Sequence, residues 1–314
     1  MRIIKPKKLQ KGDVIGVISP ASSPDELTKI EKGVSYLEKL GFRVEVGKNV
    51  GKERGYLAGE DSERLEDFHN MFKDKNVKAI FSVRGGYGSG RLLDKINYKL
   101  IKQNPKIFVG YSDITAIQNA IFSQTGLITF AGPMVAVDFC QDEVNGFTEE
   151  HFWKIITSNK KIGKLSNPND EKFFILSKGI GKGRILGGNL AVLTTLLGTK
   201  YFPKMKGEIL LIEDIGEPPY RIDRFLNHLK LANVLNSVSG IILGRFVDCY
   251  ENDTSKKTLT LNQVILDYFE NIKKPVIYNF KHGHIDENLT IPFGLKCNLN
   301  ASRGIVEILE NAVS

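Results

Sequence analysis

The strongest constraint on this chain is the alternation, through its first half, of short apolar runs with longer amphipathic stretches. Asp13-Val14-Ile15-Gly16-Val17-Ile18-Ser19-Pro20 is an apolar run closed by Ser-Pro. Ser22-Ser23-Pro24-Asp25-Glu26 reads as a helix start, with a serine cap, Pro at the first helical position and acids in the first turn. Val34, Leu37, Leu40 and Phe42 carry a helical face past Gly41, and Arg43-Val44-Glu45-Val46 alternates like a strand. A polar helix is predicted over 62–72, with Leu65, Phe68, Met71 and Phe72 on one face. Apolar runs at 78–83, 107–109 and 128–131 complete the series. Strands separated by helices of this length predict parallel βαβ units with helices on both faces of a sheet. Ligands of such sheets gather at the carboxyl ends of the strands, where Arg84-Gly85-Gly86 and Ser112 both fall.

A chain of 314 residues exceeds the usual size of a single core, so two domains are expected. The polar stretch 158–172 is the natural linker between an N-terminal unit over 1–160 and a C-terminal unit over 173–314. Beyond it the texture changes to Gly-rich turns and strands, as in Gly183–Gly188, Glu208–Glu213 and Ile241–Arg245, which predicts a second, smaller α/β domain. Charged residues make up 25% and hydrophobic residues 41%, the proportions of an ordinary soluble globular protein. No apolar run approaches the ~20 residues that span a bilayer, and the basic N-terminus is followed by no secretory h-region. Three distant cysteines, Cys140, Cys249 and Cys297, suit a reduced, cytoplasmic compartment and small core positions. The net charge of +8 comes from scattered lysines without a dense basic block, which disfavours nucleic acid and leaves room for steering an acidic small substrate.

Chemistry concentrates at a few places. Ile107-Phe108-Val109-Gly110 runs into Tyr111-Ser112-Asp113 and then into an apolar helix-like stretch, Ile114 to Phe122. A serine at a sharp strand-to-helix turn presents its hydroxyl above the sheet, beside free N–H groups that favour developing negative charge. The same residues also suit a plain helix cap. Arg84-Gly85-Gly86-Tyr87-Gly88-Ser89-Gly90 carries four glycines directly after a strand. It matches neither a dinucleotide fingerprint nor a phosphate loop, and suits either an oxyanion hole shared with the Asp113 N–H or a tight turn without a ligand. Glu213 closes the run Ile209-Leu210-Leu211-Ile212, where an acid can orient a histidine or pair with Arg221 or Arg224. His282-Gly283-His284 holds two of the five histidines, while His69, His151 and His228 lie in polar, surface-like contexts. A His-x-His metal site is a further reading, though no His-Glu-x-x-His helix or cysteine pair accompanies it. Ser112, Glu213 and His284 together form a sufficient set for acyl transfer, in a chain order known for such triads.

Six stretches in order resemble the LD-carboxypeptidase family, which includes the murein tetrapeptide carboxypeptidases and the microcin C self-immunity peptidases. They are Gly12–Ala21, Gly55–Arg64, Arg84–Gly88, Gly110–Thr115, Ile212–Asp214, and Gly283-His284 followed by Asn288–Gly294. The resemblance implies a serine peptidase without metal or cofactor. Its nucleophile falls on Ser112, its acid on Glu213 and its base on His284, with oxyanion donors on the Gly85/Gly86 turn and the Asp113 N–H. It also implies a flavodoxin-like or glutamine-amidotransferase-like parallel-sheet domain, a smaller swivelling β/α domain, and a homodimer. The substrate implied is a cytosolic murein tetrapeptide that loses its C-terminal D-alanine. A peptidyl- or aminoacyl-nucleotide amide is the alternative within the family, with Trp153 available either for base stacking or as a buried helix anchor. A non-catalytic peptide- or glycan-binding module is the alternative outside it. Lys281-His282 precedes Gly283-His284 where the family has apolar residues or Pro. His284 is preferred because it aligns with the downstream Asn-Leu-Thr-Ile-Pro.

Overall fold

A computed structural model describes residues 2–314. The strands are β1 (Val14–Ile18), β2 (Arg43–Val46), β3 (Val77–Ser82), β4 (Ile107–Gly110), β5 (Thr129–Ala131), β6 (Gly163–Leu165) and β7 (Phe174–Ser177). They continue as β8 (Ile180–Asn189), β9 (Ile209–Ile215), β10 (Gly240–Val247), β11 (Val276–Tyr278), β12 (Ile291–Phe293), β13 (Lys296–Asn300) and β14 (Ile305–Ile308). The helices are α1 (Thr28–Lys39), α2 (Asp61–Lys73), α3 (Tyr98–Gln103), α4 (Thr115–Thr125), α5 (Gly146–Thr157), α6 (Leu190–Thr195), α7 (Pro219–Leu231), α8 (Val234–Ser237) and α9 (Leu261–Phe269).

Strands β1 to β5 form a parallel sheet in the order β2-β1-β3-β4-β5, the flavodoxin-like winding. Alternate residues serve opposite faces: Ile15, Val17, Phe81 and Val109 enter one buried cluster, and Val14, Ile18, Ile80 and Phe108 the other. Both faces are therefore covered, as the alternation of elements predicts. The neighbours of β1 lie on opposite sides of it, so the loops leaving β1 and β3 diverge and open a crevice at their carboxyl ends.

The second sheet has the order β6-β14-β13-β8-β9-β10-β11-β7, with a parallel centre and antiparallel flanks. The two units exchange elements. Strand β12 leaves the second unit and pairs antiparallel with β5 at the edge of the first sheet, where a strand containing Pro292 is tolerated. The stretch 158–172, expected as a linker, supplies β6, which pairs with β14 at the edge of the second sheet. Helix α1 also starts later than its serines suggest. Its N-cap is Leu27 without a side-chain bond, because Ser22 Oγ reaches the Tyr56 carbonyl and Ser23 Oγ the Lys52 carbonyl.

Helix α4 is the seam between the sheets, with every residue from Thr115 to Phe122 buried. Asn119 donates to the Gly187 carbonyl at 2.8 Å, and Thr115 Oγ1 accepts the Asn189 N–H at 3.0 Å. A side chain at Gly188 would meet Thr115 Oγ1 at 2.5 Å, so glycine lets β8 close onto the helix. The start of α4 and the ends of β8 and β9 thereby converge on one place.

Candidate active site

Ser112 stands at that convergence. Tyr111 leaves β4 extended, with φ −147° and ψ −166°, and Ser112 then adopts φ +62° before a short 3-10 turn enters α4. A non-glycine residue in the left-handed region costs about 1–2 kcal/mol and persists only where its surroundings impose it. Gly110 makes the tight turn feasible, since a Cβ there would lie 2.9 Å from Ile114 and 3.0 Å from Ser82 Oγ. A Cβ at Gly85 would sit 2.8 Å from Ser112 Cβ, 2.9 Å from its Oγ and 3.3 Å from the Asp113 nitrogen. The Gly85 carbonyl accepts the Ser22 N–H at 3.2 Å, and Ser22 Oγ accepts the Tyr87 N–H at 3.0 Å.

The expectation that Asp113 caps the helix is corrected by its side chain. The buried carboxylate accepts the Ser89 N–H at 2.8 Å, and Ser89 Oγ donates to the Asp113 carbonyl at 2.5 Å, while α4 has no side-chain cap. Burial raises the Asp113 pKa.

Across the seam, Glu213 ends the buried part of β9 and is 1% exposed. Two glycines pack against it: a Cβ at Gly283 would lie 2.8 Å from Glu213 Oε2, and one at Gly244 3.1 Å from its Cβ. Glu213 Oε2 lies 2.8 Å from His284 Nδ1. Burial alone pulls the His284 pKa down, but the charge and hydrogen bond of Glu213, with Asp214 and Asp138 behind it, reverse that and leave it raised. Tyr111 meets the imidazole edge-on, with ring centroids 5.1 Å apart at 68°. Ser112 Oγ forms no hydrogen bond with His284 in this structure, the imidazole's bond being to Glu213. His282 turns elsewhere: its Nδ1 lies 2.8 Å from the Leu289 carbonyl, it is 1% exposed, and burial lowers its pKa. The two histidines do not converge, and among the described residues no group of three or more His, Cys, Asp or Glu is placed to hold a metal ion.

Models of the LD-carboxypeptidase N-terminal and C-terminal domains match residues 15–132 and 182–299. A probable murein peptide carboxypeptidase of Bacillus subtilis is 40% identical over 99% of this chain and 95% of its own length. The chain belongs to the LD-carboxypeptidase family. The microcin C7 self-immunity protein MccF of Escherichia coli is 33% identical over 98% of this chain and 96% of its own. A solved structure of an MccF variant in complex with adenosine monophosphate superposes with a TM-score of 0.90 at 30% identity, covering 99% of this chain and 100% of that one. This family member is therefore a hydrolase, with the family's two-sheet α/β architecture.

Neither Arg221 nor Arg224 pairs with Glu213: Arg221 pairs with Glu217 at 2.9 Å, and Arg224 lies over the Tyr220 ring at 5.4 Å. Arg245 donates to Asn279, and Arg84, next to the Gly85 turn, makes one 3.4 Å bond to the Ser23 carbonyl and has a buried Nε without a partner. Trp153 packs into the core, stacked on Phe42 at 5.1 Å with its Nε1 donating to Tyr36, so it serves as the helix anchor. His228 is exposed, whereas His69 is half-buried and accepts the Asn97 N–H. The cysteines are buried and free, and burial pushes the thiols of Cys249 and Cys297 up to about 12. Sequence reasoning missed Tyr111 and Asp138 as neighbours of the imidazole. Asp138 is raised to about 6, chiefly by burial, and bonds the Met134 N–H.

Proposed function

We propose that this chain is a serine LD-carboxypeptidase that hydrolyses the amide before the C-terminal D-alanine of cytosolic murein tetrapeptide. The observation that carries the reading is the buried Glu213–His284 pair at 2.8 Å, with Tyr111, the neighbour of the left-handed Ser112, packed on the imidazole. Ser112 Oγ attacks the scissile carbonyl carbon while His284 Nε2 takes its proton. Glu213 holds the Nδ1–H tautomer and stabilises the imidazolium. The oxyanion is received by the Gly86 and Asp113 N–H groups. His284 then protonates the departing amine of D-alanine. A water molecule, deprotonated by the same imidazole, cleaves the acyl-enzyme and restores Ser112. The enzyme acts as a homodimer in the cytoplasm, a compartment that suits three buried free cysteines.

A second reading, cleavage of an aminoacyl-nucleotide amide, is supported by the likeness to MccF bound to adenosine monophosphate. The charge beside His284 favours the tetrapeptide. A cavity of about 740 Å³ there is lined by Asp138, Asp142, Glu143 and Asp286 and by no lysine or arginine. Such walls attract the free amino group of a diamino acid before the scissile bond and repel an acidic aminoacyl group. Release of D-alanine from murein tetrapeptide, compared with cleavage of an aspartyl-nucleotide amide, tests the choice. Preferential cleavage of the nucleotide amide would reverse it, and release undiminished in Ser112→Ala would refute the nucleophile.

A further inference from the structure

One heavily buried charged side chain lies outside the triad. Arg64, on α2, is 2% exposed, and its guanidinium is built into two loops. Its Nη2 pairs with Asp61 at 2.5 Å within the same helix, and Asp61 also takes Arg91 and Lys95. That contact would suffice for a local ion pair. Yet Nη1 donates to the Pro20 carbonyl at 2.6 Å and to the Gly88 carbonyl at 2.9 Å. Those carbonyls belong to the loops leaving β1 and β3, the two walls of the crevice. The guanidinium Nε is buried without a partner, so its Nη bonds and the Asp61 charge hold the cation in place and tie both walls to it.

The Gly88 carbonyl and the Ser89 N–H belong to the same peptide group. Arg64 holds the first, and the Asp113 carboxylate accepts the second at 2.8 Å. One peptide plane is thus gripped from both sides, by a cation on its oxygen and an anion on its nitrogen. Gly88 has φ +118°, and a Cβ there would lie 3.0 Å from Arg64 Nη1, so the loop passes directly against the guanidinium. Two residues upstream, the Gly86 N–H makes no bond to the protein that would fix its direction. Its aim depends on how the Gly88–Ser89 plane and the Ser22 bonds hold the turn. Asp113 in turn follows the nucleophile, so the same carboxylate couples the turn to the elbow.

We infer that Arg64 and the Asp113 carboxylate are positioning residues that set the Gly85–Gly88 turn for oxyanion stabilisation. This rests on the assignment of Ser112 as nucleophile under the proposed function. Neither group touches substrate. Their loss weakens the binding of a tetrahedral species while leaving that of a planar ligand unchanged.

The test compares wild type with Arg64→Met, Arg64→Lys and Asp113→Asn in three measurements: tetrapeptide turnover, affinity for the murein tripeptide product, and the rate of inactivation by a serine-reactive phosphonate. Expected is a roughly 100-fold fall in kcat for Arg64→Met, the size of a lost oxyanion donor, with KM and product affinity unchanged. Inactivation slows in parallel, and Arg64→Lys restores part of both rates. Asp113→Asn, which keeps an acceptor for the Ser89 N–H, shows a smaller fall of the same pattern. If Arg64→Met fails to fold, the lysine and asparagine variants carry the comparison. Unchanged kcat and inactivation, or falls matched by equal losses of product affinity, would overturn the inference. A wild type that reacts with phosphonate but leaves the tetrapeptide intact defeats the proposed substrate alone, and the inactivation rates still decide this point. A wild type inert to both reagents overturns both.

Discussion

The two halves of the site hold their reactive groups by different means. On the first sheet, Ser112 is fixed by backbone: a left-handed φ, glycines that admit close contact at 85 and 110, and neighbouring loops held by the Tyr87 N–H on Ser22 Oγ and the Ser89 N–H on the Asp113 carboxylate. On the second, His284 is fixed by charge, through a buried carboxylate 71 residues away in sequence and glycines that clear space for it. The nucleophile half is therefore vulnerable to added atoms and the base half to altered charge. A change of pH acts mainly on the second.

The largest effect expected is that of Ser112→Ala, a loss of turnover on the order of 10⁶-fold, read as D-alanine release. Ser112→Gly loses activity equally but relieves the left-handed strain, so its unfolding midpoint in denaturant rises. A midpoint below wild type would show that the conformation is not strained. Glu213→Gln keeps the shape of the base half and removes its charge. Turnover falls roughly 10⁴-fold, and a retained rate would mean the pair does not organise the base. Gly85→Ala tests the first half by crowding, because the new Cβ meets Ser112 at 2.8 Å. A loss of about 100-fold is expected with the fold intact by circular dichroism.

The pH dependence separates the halves more gently. His284 acts as base in its neutral form, so kcat/KM rises with pH through a midpoint above the ordinary imidazole value of 6.5. Since His284 binds its proton more tightly folded than unfolded, its contribution to stability is complete below 6.5 and is lost as pH climbs through the raised value. The difference in melting temperature between wild type and His284→Gln should therefore shrink with rising pH. A difference that grows would contradict the raised pKa. The smallest effect belongs to Trp153→Phe, which loosens the stacking on Phe42 and Phe139 by about 1 kcal/mol without changing KM.

Much of the first sheet was legible in the sequence because its parallel strands, apart from the alternating β2, are short apolar runs ending at a glycine, serine or arginine that turns the chain. The position of Ser112 followed from the same signal. What could not be read depends on partners distant in sequence. Asp113 resembles a helix cap until Ser89, 24 residues before it, is brought to its carboxylate. Ser22 and Ser23 resemble caps until loops at 52 and 56 take their hydroxyls. Strands β6 and β12, at three residues each, are too short to show a period, and Pro292 hides the second. The choice between His282 and His284 likewise rests on which ring faces Glu213, a matter of tertiary geometry.

The most direct test of the account is to treat the protein with a serine-reactive phosphonate and locate the adduct by intact mass and peptide mapping. The account predicts one adduct per chain, on Ser112, absent from Ser112→Ala and formed far more slowly in Glu213→Gln. An adduct on another residue, or none while wild type releases D-alanine, would contradict it.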